Sequence, residues 1–428
     1  MTESVDRRGF LKGAGAAVAG AAVLAGASGK MQMAADMVLA VSIDEKPYEI
    51  DPAVYRPMSQ ANTCFSRMYR GDPTIEANPA AWFGANPMAH IQKGDPGYGY
   101  LDYAFQIAAQ AVGAKLTFTG GTYDYRGETL GYSFPDKAPK SFLGLPPYEV
   151  RDPVAMSRHV KKAARFFGAS VAGVCAVDPR WIYSDVLMGD TGEVKPLDFP
   201  RNLTNAVVMA FEMDYDAIVT SPTALAAGAV AHAYSRQDSA ALYVAEFIKT
   251  LGYEAVAAGN DTSLSVPLAI DAGIGETSRS GLLITPQFGP RVRLSKVFTN
   301  LPLAPDKPIK FGVREFCRVC LKCAEKCPSQ SISMEADPTW SGPSKSNNPG
   351  VLKWYVNVDT CLKFWSDNGV DCVTCIASCP YNKPADMWHH QLGAVAARSL
   401  GKAWVSLDNA LGYGEQRDPV AWWDKEQK

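Results

Sequence analysis

Residues 317–328 read CRVCLKCAEKCP, and residues 361–380 read CLKFWSDNGVDCVTCIASCP. The first run spaces its cysteines as C-x2-C-x2-C-x3-C-P, and the second spaces them as C-x10-C-x2-C-x3-C-P. Cysteines separated by two residues lie on tight turns, and their thiolates point at the irons of one cluster. The three-residue gap before the last cysteine starts a helix that carries its thiolate away. The spacing therefore predicts two 4Fe–4S clusters in the C-terminal part of the chain.

Bacterial ferredoxins use the same spacing, and in them the last thiolate of each run reaches across to the other cluster. Zinc sites and disulfides are the alternatives, and zinc rarely uses this spacing. Cys64 and Cys175 lie far outside both runs, so we expect them to be buried core thiols. Crossed ligation predicts one cluster held by Cys317, Cys320, Cys323 and Cys379, and another held by Cys327, Cys361, Cys372 and Cys375.

Residues 1–27 are predicted to be a twin-arginine signal peptide. Arg7 and Arg8 precede a weakly apolar run rich in Ala and Gly, and residues 25–27 offer a small-residue cleavage site. A membrane anchor is the alternative, but the run falls short of the roughly 20 strongly apolar residues that a membrane span needs. Because this route exports proteins already folded around their cofactors, we expect a peripheral protein in the periplasm or on the outer face of the cytoplasmic membrane.

The chain has 428 residues and a formal net charge of −2. The length suggests two or three domains, and the charge gives no reason to expect a nucleic-acid partner. Residues 28–150 are predicted to form an irregular N-terminal unit that wraps the next domain. Residues 151–305 alternate helices and strands, residues 306–385 hold the cysteine runs, and residues 386–428 form a tail. The predicted helices include 154–167 and 239–252, and the predicted strands include 170–177, 205–213 and 253–257.

Several short stretches follow one another in a fixed order along the chain. They are FEMDY at 211–215, AYSR at 233–236, LGY at 251–253, GND at 259–261, AGIGE at 272–276, LLITP at 282–286, GPRVR at 289–293 and CPYNKP at 379–384. With the twin-arginine leader and the cysteine runs, this order resembles the respiratory corrinoid-dependent reductive dehalogenases. The resemblance covers the leader and residues from about 150 to 390.

The resemblance implies an α+β protein with two parts. One is a nitroreductase-like α/β core that binds cobalamin without a lower axial base, and the other is a C-terminal, bacterial-ferredoxin-like domain with two clusters. The implied catalytic subunit replaces a carbon–halogen bond of an organohalide by carbon–hydrogen. Its implied partners are the organohalide and a separate electron donor with a membrane anchor protein, and a homodimer is a possible assembly.

The resemblance also assigns roles to single residues. Tyr234 matches the family's proton donor, Arg293 its nearby cation, and Asn260 a turn residue close to substrate and corrinoid. A phenol suits the role of acid because its ordinary pKa of about 10 keeps the proton in place until the reaction demands it. Tyr215 is the rival donor, and Lys296 is the fallback cation.

Further contacts are expected around the cofactor. Arg279 is a rival to Arg293, and the enlarged loop between the first two cysteines of the second run is expected to pack near the corrinoid. The aromatic residues Trp82 and Trp365 could wall a substrate pocket, although core packing is the more common role of such residues. Four consecutive residues are predicted to contact the corrinoid tail: Asn347, Asn348, Pro349 and Gly350.

Two other functions fit parts of the sequence. Epoxyqueuosine reductases share the A-G-x-G segment, the cobalamin core and the paired cysteine runs, but they act on transfer RNA in the cytoplasm. A plain iron–sulfur electron carrier would explain the cysteine runs alone. The corrinoid content separates the carrier from both enzymes, and halide release separates the dehalogenase from the transfer-RNA enzyme.

Overall fold

The computed structural model describes residues 40–117, 145–187, 193–384 and 400–424, so the predicted signal peptide lies outside the described residues. Short 3-10 turns at Gln60–Asn62 and Pro179–Trp181 and a π-helical turn at Ala81–Ala85 accompany longer helices. The helices are α1 (Cys64–Tyr69), α2 (Asn86–Lys93), α3 (Tyr100–Thr117), α4 (Pro153–Phe166), α5 (Tyr215–Ile218), α6 (Ala224–Thr250), α7 (Ser265–Asp271), α8 (Val313–Val319), α9 (Lys322–Glu325), α10 (Val358–Asn368), α11 (Thr374–Ala377), α12 (Lys402–Ala410) and α13 (Pro419–Asp424).

The strands pair in small antiparallel sheets. They are β1 (Val41–Ser42), β2 (Val171–Ala176), β3 (Asp185–Leu187), β4 (Val194–Pro196), β5 (Asn205–Glu212), β6 (Ala255–Ala258), β7 (Glu276–Thr277), β8 (Leu283–Ile284), β9 (Val292–Thr299) and β10 (Ile309–Lys310). A four-stranded sheet has the order β2-β5-β9-β6, and β1-β10, β3-β4 and β7-β8 form two-stranded sheets. The mixture of helices and antiparallel strands makes the fold α+β.

The four-stranded sheet is buried on both faces. Val207 and Met209 of β5 pack with α4 and α6 in one apolar cluster. Ala206 and Val208, which point the other way, pack with α7 in a second cluster. A strand covered on both faces needs an unbroken apolar run, and this explains why residues 205–213 are recognisable as a strand from sequence.

The helix that follows β5 is longer than the sequence predicted. The prediction of a helix over 239–252 was wrong at its start, because α6 is a single helix from Ala224 to Thr250. Thr223 caps it by accepting a hydrogen bond from the backbone N–H of Ala226. Nine of its first ten residues are apolar and buried, with His232 the exception, and such a run lacks the polar face that marks a surface helix. Tyr234 therefore lies in the middle of α6 and not ahead of it.

The cysteine runs lie on short helices beside the sheet unit. Cys317 is in α8, Cys323 in α9, Cys361 in α10 and Cys375 in α11. Trp404 of α12 joins the apolar cluster that contains Cys317, so part of the C-terminal tail packs against the cysteine runs. The described residues do not test the predicted domain boundaries. Among those residues, no helix combines the length and the apolar character that crossing a membrane requires.

Candidate active site and cluster sites

A cavity of about 1820 Å³ lies between the N-terminal residues, the sheet unit and the cysteine runs. Its wall includes Phe65 and Trp82 from the N-terminal part, Tyr234 and Arg293 from the core, and Trp365 from α10. Pockets for small ligands usually measure roughly 300–1,000 Å³. The cavity therefore has room for a large cofactor as well as a small substrate.

Three predicted site residues meet at this cavity because of the way α6 connects to β6. From Tyr234 the chain continues along α6 for about 24 Å, at 1.5 Å per residue, and then runs back along β6 to the turn that carries Asn260. Asn260 therefore returns to the level of Tyr234. The pairing of Ala258 with Lys296 then brings Arg293, three residues earlier on β9, beside the same turn.

The three side chains contact one another. The Asn260 side-chain N–H donates to the Tyr234 hydroxyl oxygen at 3.1 Å. The Arg293 guanidinium carbon lies 4.9 Å from the centre of the Tyr234 ring. Within the described residues, the Nε of Arg293 is buried without a hydrogen-bond partner. With the phenol oxygen already accepting a bond from Asn260, its own O–H can donate into the cavity, and a cation stands ready to stabilise the anion left behind.

Two buried charged residues, Lys296 and Asp261, hold the turn that carries Asn260. The Lys296 ammonium donates to the backbone carbonyls of Gly259 and Ser263 and to the Ser265 hydroxyl. Burial lowers the pKa of Lys296 to about 8, and Asp261 opposes this shift. Asp261 is also buried, which raises its pKa, and it accepts from the Gly259 N–H at 2.7 Å. Lys296, the fallback cation, thus supports the turn from beneath and does not line the cavity.

Three acidic residues of the cavity wall were not predicted as site residues: Asp238, Glu276 and Asp371. Asp238 lies one helical turn beyond Tyr234 on α6 and is almost fully buried. Asp371 directly precedes Cys372, and burial raises its pKa to about 6 against the opposing charge of Arg293. The spacing of Asp238 from Tyr234, four residues along a helix, could have indicated it. Nothing in the local sequence marks Asp371 as part of a cavity.

The enlarged loop of the second cysteine run lines the cavity through Trp365, Gly369 and Asp371. Trp365 contacts two other aromatic residues, with ring centres 6.0 Å from Phe65 and 5.9 Å from Trp82. The three rings make one apolar wall, as the predicted role of Trp82 and Trp365 requires. The longer gap between the first two cysteines supplies the helix α10 that carries Trp365.

The rival residues lie elsewhere. Tyr215 is packed between Arg291 and Arg417, with each guanidinium carbon 5.5 Å from its ring centre, and it does not line the cavity. Burial raises the pKa of Tyr215 to about 12. Arg279 is fully buried and donates to the carbonyl oxygens of Cys317 and Ser333. These contacts give Tyr215 and Arg279 structural roles.

The predicted corrinoid-tail segment is only partly exposed to the cavity. Asn348 lines it. Asn347 instead accepts from the Ser344 N–H at 3.0 Å and donates to the Val356 carbonyl, so its amide closes a local turn. Gly350 has a φ of +90°, and a Cβ there would lie 2.6 Å from the backbone nitrogen of Tyr55. Pro349 is not part of the cavity wall.

The eight cysteines fall into two neighbouring groups. Burial raises the pKa of Cys323 and Cys375 well above the ordinary thiol value, and nearby thiols raise it further. One thiol of the other group takes part each time, because Cys375 affects Cys323 and Cys379 affects Cys375. The remaining thiols are Cys317, Cys320 and Cys379 around Cys323, and Cys327, Cys361 and Cys372 around Cys375. These are the sets that crossed ligation predicts, and the ligation itself stays a prediction.

Crowded thiols of this kind favour binding of positively charged iron, since the thiolate is the ligand. No group of three or more Cys, His, Asp or Glu side chains among the described residues is arranged to hold a single metal ion. Cys175 is buried in β2, as predicted. Cys64 is partly buried and packs on an apolar cluster with Trp365, and burial raises its pKa to about 11.

Comparison with known proteins identifies relatives by sequence. The tetrachloroethene reductive dehalogenase of Desulfitobacterium hafniense is 40% identical over 302 residues, which are 61% of this chain and 55% of the relative. That of Sulfurospirillum multivorans is 37% identical over 306 residues, which are 65% of this chain and 61% of the relative. The chain thus spans little more than half the length of the curated relatives it matches. No protein-family model matches the chain.

Solved structures share the fold. The catabolic reductive dehalogenase NpRdhA is 22% identical with a TM-score of 0.66, and the match covers 89% of this chain and 50% of that chain. A second reductive dehalogenase, described in terms of B12-dependent dehalogenation, is 22% identical with a TM-score of 0.63 and coverage of 89% and 49%. The aligned part of the chain is similar in sequence to the tetrachloroethene reductive dehalogenases, and the chain shares the fold of the solved reductive dehalogenases.

Proposed function

We propose that this protein is an enzyme, a reductive dehalogenase. It takes an organohalide, two electrons and one proton, breaks the carbon–halogen bond, forms a carbon–hydrogen bond and releases a halide ion. The observation that carries this proposal is the meeting of Tyr234, Asn260 and Arg293 at one large cavity beside the two cysteine groups. The names of the sequence relatives support it.

A corrinoid fits the cavity by size and by chemistry. Six cavity-wall residues have a buried polar atom without a hydrogen-bond partner in the described part of the chain: Tyr103, Trp181, Gln237, Ser263, Arg293 and Trp365. The edge of a corrinoid carries amide groups, which can both donate to and accept from such atoms. When bound, a corrinoid supplies a low-valent cobalt that can deliver electrons to a carbon–halogen bond. We therefore propose cobalamin, in a nitroreductase-like core, as the cofactor.

The two cysteine groups fit a pair of 4Fe–4S clusters in a ferredoxin-like unit. Each group has four thiols, and the second reaches the cavity wall through its own loop, since Asp371 adjoins Cys372. Clusters held there would relay electrons from the protein surface towards the cavity. Among the predicted corrinoid contacts, Asn348 is the residue best situated to touch the cofactor.

The side chains around the phenol have separate tasks in the proposed reaction. Tyr234 gives its proton to the carbon that loses the halogen. Asn260 fixes the direction of the phenol by donating to its oxygen, and Arg293 stabilises the phenolate that remains. The aromatic wall of Phe65, Trp82 and Trp365 excludes water and favours an apolar organohalide.

The substrate and the partners follow from the same reasoning. Because the curated relatives are named for tetrachloroethene, we propose a small chlorinated hydrocarbon as the substrate class. Electrons come from a separate donor, which we expect to be linked to a membrane anchor protein. The twin-arginine motif at Arg7 and Arg8 supports export and a peripheral location outside the cytoplasm.

Product analysis in heavy water tests this function. The protein, purified without oxygen and loaded with both cofactors, is supplied with reduced methyl viologen and tetrachloroethene in D2O. We expect trichloroethene with one deuterium and one chloride per product, because the phenol exchanges its proton with solvent. The fully loaded protein should contain about one cobalt and about eight irons per chain. Absence of cobalt after reconstitution would leave only the electron-carrier function.

A further inference from the structure

A buried group of three charges lies next to the first cysteine group. The ammonium groups of Lys322 and Lys383 are both 2.5 Å from a carboxylate oxygen of Asp408. The side chains of Lys322, Lys383 and Asp408 are 2%, 1% and 0% exposed. We call these three residues the buried charge triad. Because water is excluded from it, salt screens its charges weakly.

The triad joins the C-terminal tail to the cysteine runs. Lys322 lies between Cys320 and Cys323, Lys383 lies four residues after Cys379, and Asp408 belongs to α12. The tail also touches both lysines through Tyr413. Its carbonyl accepts from the Lys322 ammonium, and its ring centre is 4.1 Å from the Lys383 nitrogen.

The close approach of the tail has a backbone cause. Gly414 has a φ of +78°, and a Cβ on this residue would lie 2.7 Å from a carbon of the Lys322 side chain. Only glycine gives the chain both this conformation and this proximity. The tail therefore seals Lys322 from solvent.

Two lysines share one carboxylate, so with both lysines protonated the triad carries one net positive charge. Burial and the charge of Lys322 lower the pKa of Lys383, and Asp408 opposes this shift. Buried lysines without full compensation are costly for folding, which makes stability a poor explanation for the second lysine. The charges act on the neighbouring thiols. Burial raises the pKa of Cys379, and Lys383 opposes that rise.

We propose that the buried charge triad raises the reduction potential of the cluster held by Cys317, Cys320, Cys323 and Cys379. Reduction adds an electron, and a fixed positive charge that solvent does not screen stabilises the reduced state. The triad is thus a positioning element for the electron path and not a catalytic group. This inference rests on the proposed function, because it requires that the cysteines bind clusters.

Redox titration followed by electron paramagnetic resonance tests the inference on the complete protein with both clusters loaded. Lys383→Met removes one positive charge, so one of the two cluster transitions should move to a more negative potential while the other stays. The double variant Lys383→Met with Asp408→Asn restores the net charge, and its transition should return towards that of the wild type. Cys320→Ser identifies the first cluster, since it alters the signal of that transition only.

The matched control is Glu415→Gln. Glu415 lies on the same tail and pairs at 2.9 Å with Lys326, which also belongs to the first cysteine run, but its side chain is 65% exposed. Removing this carboxylate should leave both potentials unchanged, because water screens it. If Lys383→Met does not assemble its clusters, Lys322→Gln removes the same charge from the other side and should lower the same potential.

Three results would overturn the inference. Both potentials could stay unchanged in the lysine variants, the wrong transition could move, or the double variant could keep the potential of the single variant. The last result would mean that the triad holds the tail in place and does nothing more. Failure of the proposed function looks different. A wild-type protein that shows both cluster signals but releases no halide would contradict the dehalogenase and leave this inference standing, whereas a wild-type protein without cluster signals would remove the basis of both.

Discussion

The phenol of Tyr234 has two neighbours with different tasks. Asn260 occupies its oxygen with a hydrogen bond at 3.1 Å, and Arg293 places a positive charge 4.9 Å from its ring centre. In the proposed reaction, the amide controls the direction of the phenol, whereas the guanidinium controls how easily the phenolate forms. Only the phenol itself can give a proton, so the three residues are not interchangeable.

Replacing that proton donor gives the first prediction. Tyr234→Phe keeps the ring and its contact with Arg293 but removes the proton, so halide release should fall about 10²- to 10⁴-fold. Cobalt and iron contents should match the wild type. Tyr215→Phe is the control and should keep wild-type activity, because Tyr215 lies outside the cavity wall. Full activity of Tyr234→Phe would remove Tyr234 from the mechanism.

The second prediction concerns Lys296 and pH. Its pKa is lowered from 10.5 to about 8 by burial, so between these values the unfolded chain binds a proton that the folded protein does not. The free energy of unfolding of the wild type should therefore rise by about 3 kcal/mol across this pH range, relative to that of Lys296→Met. The variant has no ammonium group at this position and so lacks the pH dependence.

Thermal unfolding from pH 7 to 10 measures this difference. The melting temperature of the wild type should gain on that of Lys296→Met as the pH rises through 8. Parallel curves for the two proteins would mean that Lys296 has an ordinary pKa. Lys296→Arg is a useful companion, because it keeps a charge that does not titrate in this range.

At this scale the sequence predicted some of the site and missed the rest. Tyr234, Asn260 and Arg293 could be named because the order of motifs resembles a known family. Asp371 could not, since it reaches the cavity only through the path of the enlarged loop. Asn347 was expected at the corrinoid, yet its amide closes a local turn, a use that no spacing distinguishes from ligand binding.

Between elements, the connection from α6 to β6 decides where the site forms. The chain runs along α6 past Tyr234 and then returns along β6, and this return brings Asn260 beside Tyr234. Strand 205–213 and helix 154–167 could be predicted because their apolar patterns are clear. The start of α6 could not, because residues 224–231 are all apolar and buried and so carry no periodic signal.

The third prediction concerns the turn between β8 and β9. Gly289 has a φ of +56°, and a Cβ there would lie 2.3 Å from the carbonyl oxygen of Tyr381, which follows the second cysteine run. Gly289→Ala should therefore destabilise the protein by about 1–3 kcal/mol and loosen the contact between core and clusters. Thermal unfolding and iron content measure the two effects.

Gly71→Ala is the matched control for backbone strain. Gly71 has a φ of +70°, but a Cβ there would meet nothing within 4 Å. It should cost roughly 1 kcal/mol and leave the iron content unchanged. Equal losses of stability in both variants would mean that backbone strain, and not contact with Tyr381, explains the effect at Gly289.

On the scale of the whole molecule, thiols of the two cysteine runs lie close to one another. Crossed ligation makes a fourth prediction: Cys379→Ala should damage the same cluster as Cys320→Ala, although the two residues lie in different runs. Cys327→Ala should likewise damage the same cluster as Cys372→Ala. Electron paramagnetic resonance of the reduced proteins measures which signal is lost. Pairing within each run would contradict the crossed arrangement.

The central claim joins the two cysteine groups, the cavity and Tyr234 into one dehalogenase. Halide release tests it most directly, with protein loaded with both clusters and cobalamin, reduced methyl viologen, and a panel of chloroalkenes, chloroalkanes and haloaromatics. We predict halide and dehalogenated product in equal amounts from at least one chlorinated hydrocarbon. If protein with full cobalt and iron content releases no halide from any member of the panel, the chain is not a reductive dehalogenase.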